Sequence, residues 1–180
     1  GSVPPVQLAR PQLTANHNTA ISAALSMQGH ANEKLAEWSN VPVTRKDMRT
    51  LRPSKWLNDE VINAFCALMN TRETTQPNGP QCHFMHTTFY TKLCQCNGYN
   101  FANVKRWGNK FHPRGWAGVI AMDKIMVPLH IKGCHWTLAV ICLREKRFEY
   151  YDSLRGDGHR HLAVLRRFMV DLCTSLAIPD

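Results

Sequence analysis

The chain has 180 residues, is 44% hydrophobic and carries a formal net charge of +9, enough for one domain with a packed core. No apolar run approaches the ~18 uninterrupted residues of a membrane span, so no transmembrane helix is expected. The positive charge suits an acidic partner, but it is spread along the chain without a long single-sign block, and most of it reads as solvated surface. Seven cysteines are an odd number at irregular spacing, and Cys66, Cys142 and Cys173 sit in apolar periodic runs. That pattern argues against a disulfide framework and for a reducing compartment, cytosol or nucleus.

Gly1-Ser2 resembles the scar of tag removal and is set aside. Residues 3–18, with three prolines, read as an extended arm; 20–28 and 31–38 have helical composition, split near Gly29. This divides the chain into an arm with helices over 1–40 and a main domain over 41–180. Thr44 with Asp47 has the form of a reciprocal helix cap, and that short helix stops before Pro53. Asn58 is a second N-cap, with Asp59 and Glu60 in the first turn where the helix dipole favours anions. Val61, Ile62, Phe65, Leu68 and Met69 then give an apolar helical face through Asn70. Residues 71–80 end in Pro-Asn-Gly-Pro and read as a loop, 84–93 fits strand or helix equally, and 97–100 is a turn. A short basic, aromatic stretch covers 104–111, and a strand over 122–131 contains Pro128, which a sheet tolerates at an edge or bulge. Leu162, Leu165, Phe168, Met169, Leu172 and Leu176 mark an amphipathic helix over 161–177. Helices, then strands, then a helix give an α+β fold, without internal repeats or low-complexity segments.

The most informative stretch is 133–142, apolar and β-branched, answered by 148–154 across a charged break. We read an antiparallel pair. With residues 144–147 as the loop, His135 and Asp152 fall on one face; a loop one residue longer would separate them. Either way both lie at the same end of the ribbon. A carboxylate beside an imidazole fixes its tautomer and stabilises the imidazolium, as a general base requires. The plainer alternative has His135 capping a strand and Asp152 opening the turn before Gly156.

His135-Trp136-Thr137-Leu138-Ala139-Val140 followed by Tyr150-Tyr151-Asp152-Ser153 resembles the core of the SUMO-specific cysteine proteases, the ubiquitin-like protease family. Trp56-Leu57-Asn58-Asp59-Glu60-Val61-Ile62-Asn63 is a second matching motif, and segments at 89–93, 104–107 and 127–130 match in order between them, so the likeness spans 43–176. It implies a papain-like α+β fold of the ubiquitin-like protease type, helical at 84–93. It also implies cleavage after the Gly-Gly of SUMO precursors and removal of SUMO from lysines. His135 would be the general base and Asp152 its orienting partner. Trp56 and Trp136 would close over the Gly-Gly tail, since only residues without Cβ pass between flat rings. Asp59, Lys105, Arg106 and Trp107 would face the modifier's globular body. The partner is then SUMO or a SUMO conjugate, the compartment the nucleus, the chain a monomer, with no cofactor, no metal and no nucleic acid required.

In this family the nucleophile lies in a later segment with a Gln ahead of Cys-Gly, and nothing after Asp152 has that form. Cys173 is followed by Thr174, and Cys66, Cys94, Cys96 and Cys134 lack the expected surroundings. The chain as written is therefore expected to be inactive, its nucleophilic Cys and oxyanion Gln lying beyond residue 180. Three alternatives stay open: a non-catalytic module that binds a ubiquitin-like protein or nucleic acid, a protease for another modifier such as that of neddylation, and a zinc site from Cys82, His83, His86, Cys94 and Cys96. The Cys-x-Cys and tight His spacings fit structural zinc poorly.

Overall fold

The structure, a computed structural model, describes residues 12–75, 79–95 and 98–178. The first element is a helix, α1 (Ala15–Leu25), begun by a Thr14–His17 capping box; it starts inside the stretch expected to be an extended arm. The expected helix over 31–38 is not formed. Lys34–Trp38 is instead strand β1, paired antiparallel with β2 (Val41–Thr44). The turn explains the correction: Ser39 and Asn40 both have positive φ (48° and 64°), the two-residue geometry that matches strand twist and that Asn tolerates. The division expected at residue 40 thus falls in the middle of a hairpin.

After β2 come α2 (Arg45–Met48) and a 3₁₀ turn, Arg49–Leu51. Thr44 and Asp47 form the expected reciprocal cap. Asp47 is buried and also accepts from Asn58 Nδ2 at 2.7 Å, tying α2 to the start of α3 (Asp59–Thr75). Asn58 caps α3 through the Val61 amide at 3.1 Å. Desolvation pushes the Asp47 carboxyl up, but hydrogen bonds from the Thr44 side chain and backbone and from Asn58 outweigh it, so the group lies below its ordinary range. A depressed folded-state value gives stability that is present above about pH 4 and lost as pH falls through the folded-state value. Asp47→Ala is therefore expected to lower stability by about 1–3 kcal/mol at pH 7. The deficit should shrink in acid, as chemical denaturation at pH 7 and pH 3 will show.

The face of α3 is not the one its apolar periodicity suggests. Phe65 (56% exposed) and Leu68 (40%) point outward, whereas Asn63, Ala64 and Cys66 are buried. The reason is a hydrogen-bonding demand that hydrophobic spacing ignores. Asn70 pairs with both backbone groups of Phe84, its Nδ2 donating to the carbonyl at 2.9 Å and its Oδ1 accepting from the amide at 2.8 Å. Asn63 Oδ1 accepts from the Thr87 amide at 2.9 Å. The Asn70 amide thus closes the edge of strand β3 (Cys82–Phe84), Asn63 holds the segment just after it, and the helix must turn its polar side inward to supply both.

The undecided segment at 84–93 divides: β3 ends at Phe84 and α4 (Thr88–Leu93) follows. Two short helices, α5 (Gly108–Phe111) and α6 (Gly115–Val119), precede β4 (Lys124–Ile131). Strands β5 (His135–Cys142) and β6 (Arg147–Tyr151) follow, then α7 (His159–Ser175). The sheet order is β3-β4-β5-β6, with β3 parallel to β4 and the other pairs antiparallel. Pro128 lies beyond the three-residue ladder of β3, where β4 is an edge and no amide is missed. On one face of the sheet, Ile125, Val127, Leu129, Ala139 and Ile141 pack with Leu165, Phe168 and Leu172 of α7, the helical face read from the sequence. Phe168 is the hub, with ring centroids 5.2 Å from Phe89 and 5.3 Å from Trp116.

Candidate active site

Two turns and one ladder bring the site together. Lys132 and Gly133, both in the left-handed region, return the chain from β4 so that His135 opens β5. Cys142 pairs with Arg147, so the β5–β6 loop is 143–146, one residue earlier than expected on each strand. Because both strands shift together, facing is unchanged and His135 and Asp152 share a side. His135 Nε2 donates to Asp152 Oδ1 at 2.6 Å. The histidine side chain is 12% exposed and the aspartate 7%.

Asp152 is held from behind by its own loop. Oδ1 also accepts from the Leu154 amide at 2.8 Å, and Oδ2 from the Gly156 amide at 3.0 Å. The His135 hydrogen bond first, and the Leu154 amide next, keep this carboxyl below its ordinary range. The acid is therefore an anion at neutral pH and fixes the proton of a neutral His135 on Nε2. That leaves Nδ1 with the lone pair of a base. Nδ1 is buried and has no hydrogen-bond partner among the described residues.

The two tryptophans flank this pair. Trp56 is 68% exposed and stands edge-on to His135 at 6.1 Å. Trp136 donates its indole N–H to the Leu57 carbonyl at 2.8 Å, which ties β5 to the loop carrying Trp56. His130 stacks on Trp136 at 4.1 Å, with 11° between planes. A cleft of about 630 Å³ opens here, lined among others by Trp56, Asp59, His130, Cys134 and Trp136. Trp136 and Asp152 also border a second, apolar cleft of about 620 Å³ with Phe65, Leu138 and Tyr151. Asp59 thus lines the cleft itself, beside Asn58. Lys105 and Arg106 are exposed, whereas Trp107 is half-buried against Phe89 and Phe111.

No described cysteine is hydrogen-bonded to His135 Nδ1. Cys66 is buried, and burial pushes its thiol up to about 11; burial raises Cys82 and Cys94 as well. Cys134 is exposed, its thiol directed to the Ile131 carbonyl at 3.8 Å, and Cys142 closes the far end of β5. Of the zinc candidates, Cys96 lies outside the described residues, and no group of three or more His, Cys, Asp or Glu among the described residues is arranged to hold a metal. No helix among them is long and apolar enough to cross a membrane.

Sequence reasoning missed the His130 stack, the Trp136–Leu57 bond and the loop amides behind Asp152. Asx-type turns give a signal for the last, since an Asp followed closely by a glycine is the pattern of a side chain bonding its own loop. The stack and the indole bond join residues distant in sequence and leave no local trace.

An imidazole oriented by a carboxylate, its other nitrogen buried and without a partner among the described residues, beside an aromatic slot on an α+β frame, has the arrangement a general base needs. Residues 55–177 match the model of the Ulp1 protease family, C-terminal catalytic domain. Ubiquitin-like-specific protease 1A of Arabidopsis thaliana is 38% identical over 165 residues, covering 88% of this chain and 32% of that protein. Ubiquitin-like-specific protease ESD4 of the same plant is 45% identical over 136 residues, with coverages of 75% and 27%. Human sentrin-specific protease 2 is 37% identical over 160 residues, covering 89% and 25%. The structure of the C-terminal Ulp1 protease domain in complex with Smt3, the yeast ortholog of SUMO, superposes with a TM-score of 0.70 at 27% identity, covering 91% of this chain and 69% of that one. The chain belongs to the Ulp1 protease family of thiol proteases, has that family's α+β protease-domain fold, and spans about a quarter to a third of the length of these curated relatives.

Proposed function

We propose that this domain is the base-bearing part of a SUMO protease that cleaves after the Gly-Gly of SUMO precursors and frees SUMO from conjugated lysines. The observation that carries the reading is the His135–Asp152 pair at 2.6 Å with Nδ1 buried and open to a reaction partner. Nδ1 takes the proton of a cysteine thiol, the thiolate attacks the carbonyl carbon of the terminal glycine, and the imidazolium returns the proton to the leaving amine. Water then hydrolyses the thioester with the same base. The domain supplies the base, its orienting carboxylate and the slot; a cysteine thiol against Nδ1 and a donor to the oxyanion complete the centre. Trp56 and Trp136 admit the Gly-Gly tail. Asp59, Lys105 and Arg106 face the modifier's body, with Trp107 anchoring the basic stretch. The similar C-terminal Ulp1 protease domain is seen in complex with Smt3, the yeast ortholog of SUMO, which supports SUMO as the partner. The nucleus is the compartment that this partner implies.

Binding tests the reading without chemistry. Titrating the chain with mature SUMO, with the modifier of neddylation and with duplex DNA should give saturable tryptophan fluorescence changes for SUMO alone. Trp56→Ala should weaken it by about tenfold or more, as the loss of an aromatic anchor does. Equal affinity for the other modifier would replace SUMO as substrate, and steeply salt-dependent DNA binding without SUMO binding would sink the protease reading.

A further inference from the structure

The loop after β6 does more than turn the chain toward α7. Its residues place both oxygens of Asp152: the Leu154 amide meets Oδ1 and the Gly156 amide meets Oδ2, while His135 takes the remaining face of Oδ1. Arg155 between them sits in the left-handed region, φ 58°, which turns the Gly156 amide back toward the carboxylate. At Gly156 a Cβ would lie well inside van der Waals contact of Asp152 Oδ2. A carboxylate held by three donors cannot yield there without giving up its aim at the imidazole.

We infer that Gly156 is a positioning residue: the absence of its side chain lets the loop amides hold Asp152 at the angle that keeps the His135 proton on Nε2. The inference rests on the reading of His135 and Asp152 as base and orienter, yet its test needs no cleavage, so the two can fail separately. Gly158, two residues on, supplies the contrast. A Cβ there would strike the ring of Tyr150 and leave Asp152 untouched. The two substitutions thus separate aim from packing.

The groups that face Asp152 are the His135 imidazole from β5 and the Leu154 and Gly156 amides from its own loop. In the unaltered chain, NMR should find the Leu154 and Gly156 amide protons shifting together with the Asp152 carboxyl carbon, at a midpoint below the ordinary carboxylate range. The His135 Nε2 proton should appear far downfield and exchange slowly with water. In Gly156→Ala the downfield proton should move upfield or vanish by exchange, and the Asp152 midpoint should rise toward the ordinary range. Gly158→Ala should lower the thermal midpoint and keep both signals. Unchanged His135 and Asp152 signals in Gly156→Ala would overturn the assignment, as would equal changes in Gly158→Ala. If Gly156→Ala does not fold, the titration of the two amides in the unaltered chain decides: amides indifferent to Asp152 overturn it, and amides that follow the carboxylate sustain it.

Discussion

His135→Ala, made in protein whose SUMO cleavage has been measured before the substitution, is expected to lower that cleavage by about 10³–10⁴-fold while leaving SUMO affinity within a few-fold. On the function proposed above, the base acts on charge that develops during reaction and the tryptophan slot and basic stretch hold the modifier, so kcat should carry the loss. Asp152→Asn is expected to cost less, about 10²-fold, because the imidazole remains but no longer has an anion to fix its tautomer. Steady-state kinetics on a SUMO precursor will measure both. Cleavage that survives His135→Ala would remove the pair from the mechanism altogether, whatever the family resemblance.

The second large effect is on stability. Phe168 is 1% exposed and touches the rings of Phe89, Trp116 and Phe101, the point where α7, α4 and the segment before β4 meet the sheet. Phe168→Ala removes a buried aromatic from a site enclosed by other rigid rings that cannot collapse to fill it. The expected cost is about 3–5 kcal/mol, a large part of the ~5–15 kcal/mol that holds a typical domain together. For a chain of this size that corresponds to a thermal midpoint lower by about 10 °C. Phe65→Ala, on the exposed face of α3, should stay within about 0.5 kcal/mol. Hydrophobic spacing treats the two phenylalanines alike; calorimetry on the pair of variants will measure the difference that burial makes.

That contrast marks where local pattern gives out. α7 is legible because the face it turns to the sheet is hydrophobic: one stripe meets one sheet face, and a 3.6-residue period records the stripe. α3 answers two demands at once, cover for the sheet and partners for backbone groups at and after β3, and the second is met by Asn70 at Phe84 and Asn63 at Thr87. Residues 31–38 have helical composition, but a two-residue turn at Ser39-Asn40 and pairing with 41–44 override a propensity worth only tenths of a kcal/mol per residue.

The amino-acid order alone determined the two strands, their common end, the helix after them, and the residue types that could act as base and orienter. Tertiary structure decided the rest: that Asp152 faces His135, that Trp56 and Trp136 stand beside the pair, and that Nδ1 has no partner among the described residues. Strand alternation and helical periodicity are local rules, imposed by backbone geometry within a few residues, and a sequence carries them in full. Which side chain meets which across 17 or 79 positions depends on ladder register and helix docking, settled only when the whole core packs.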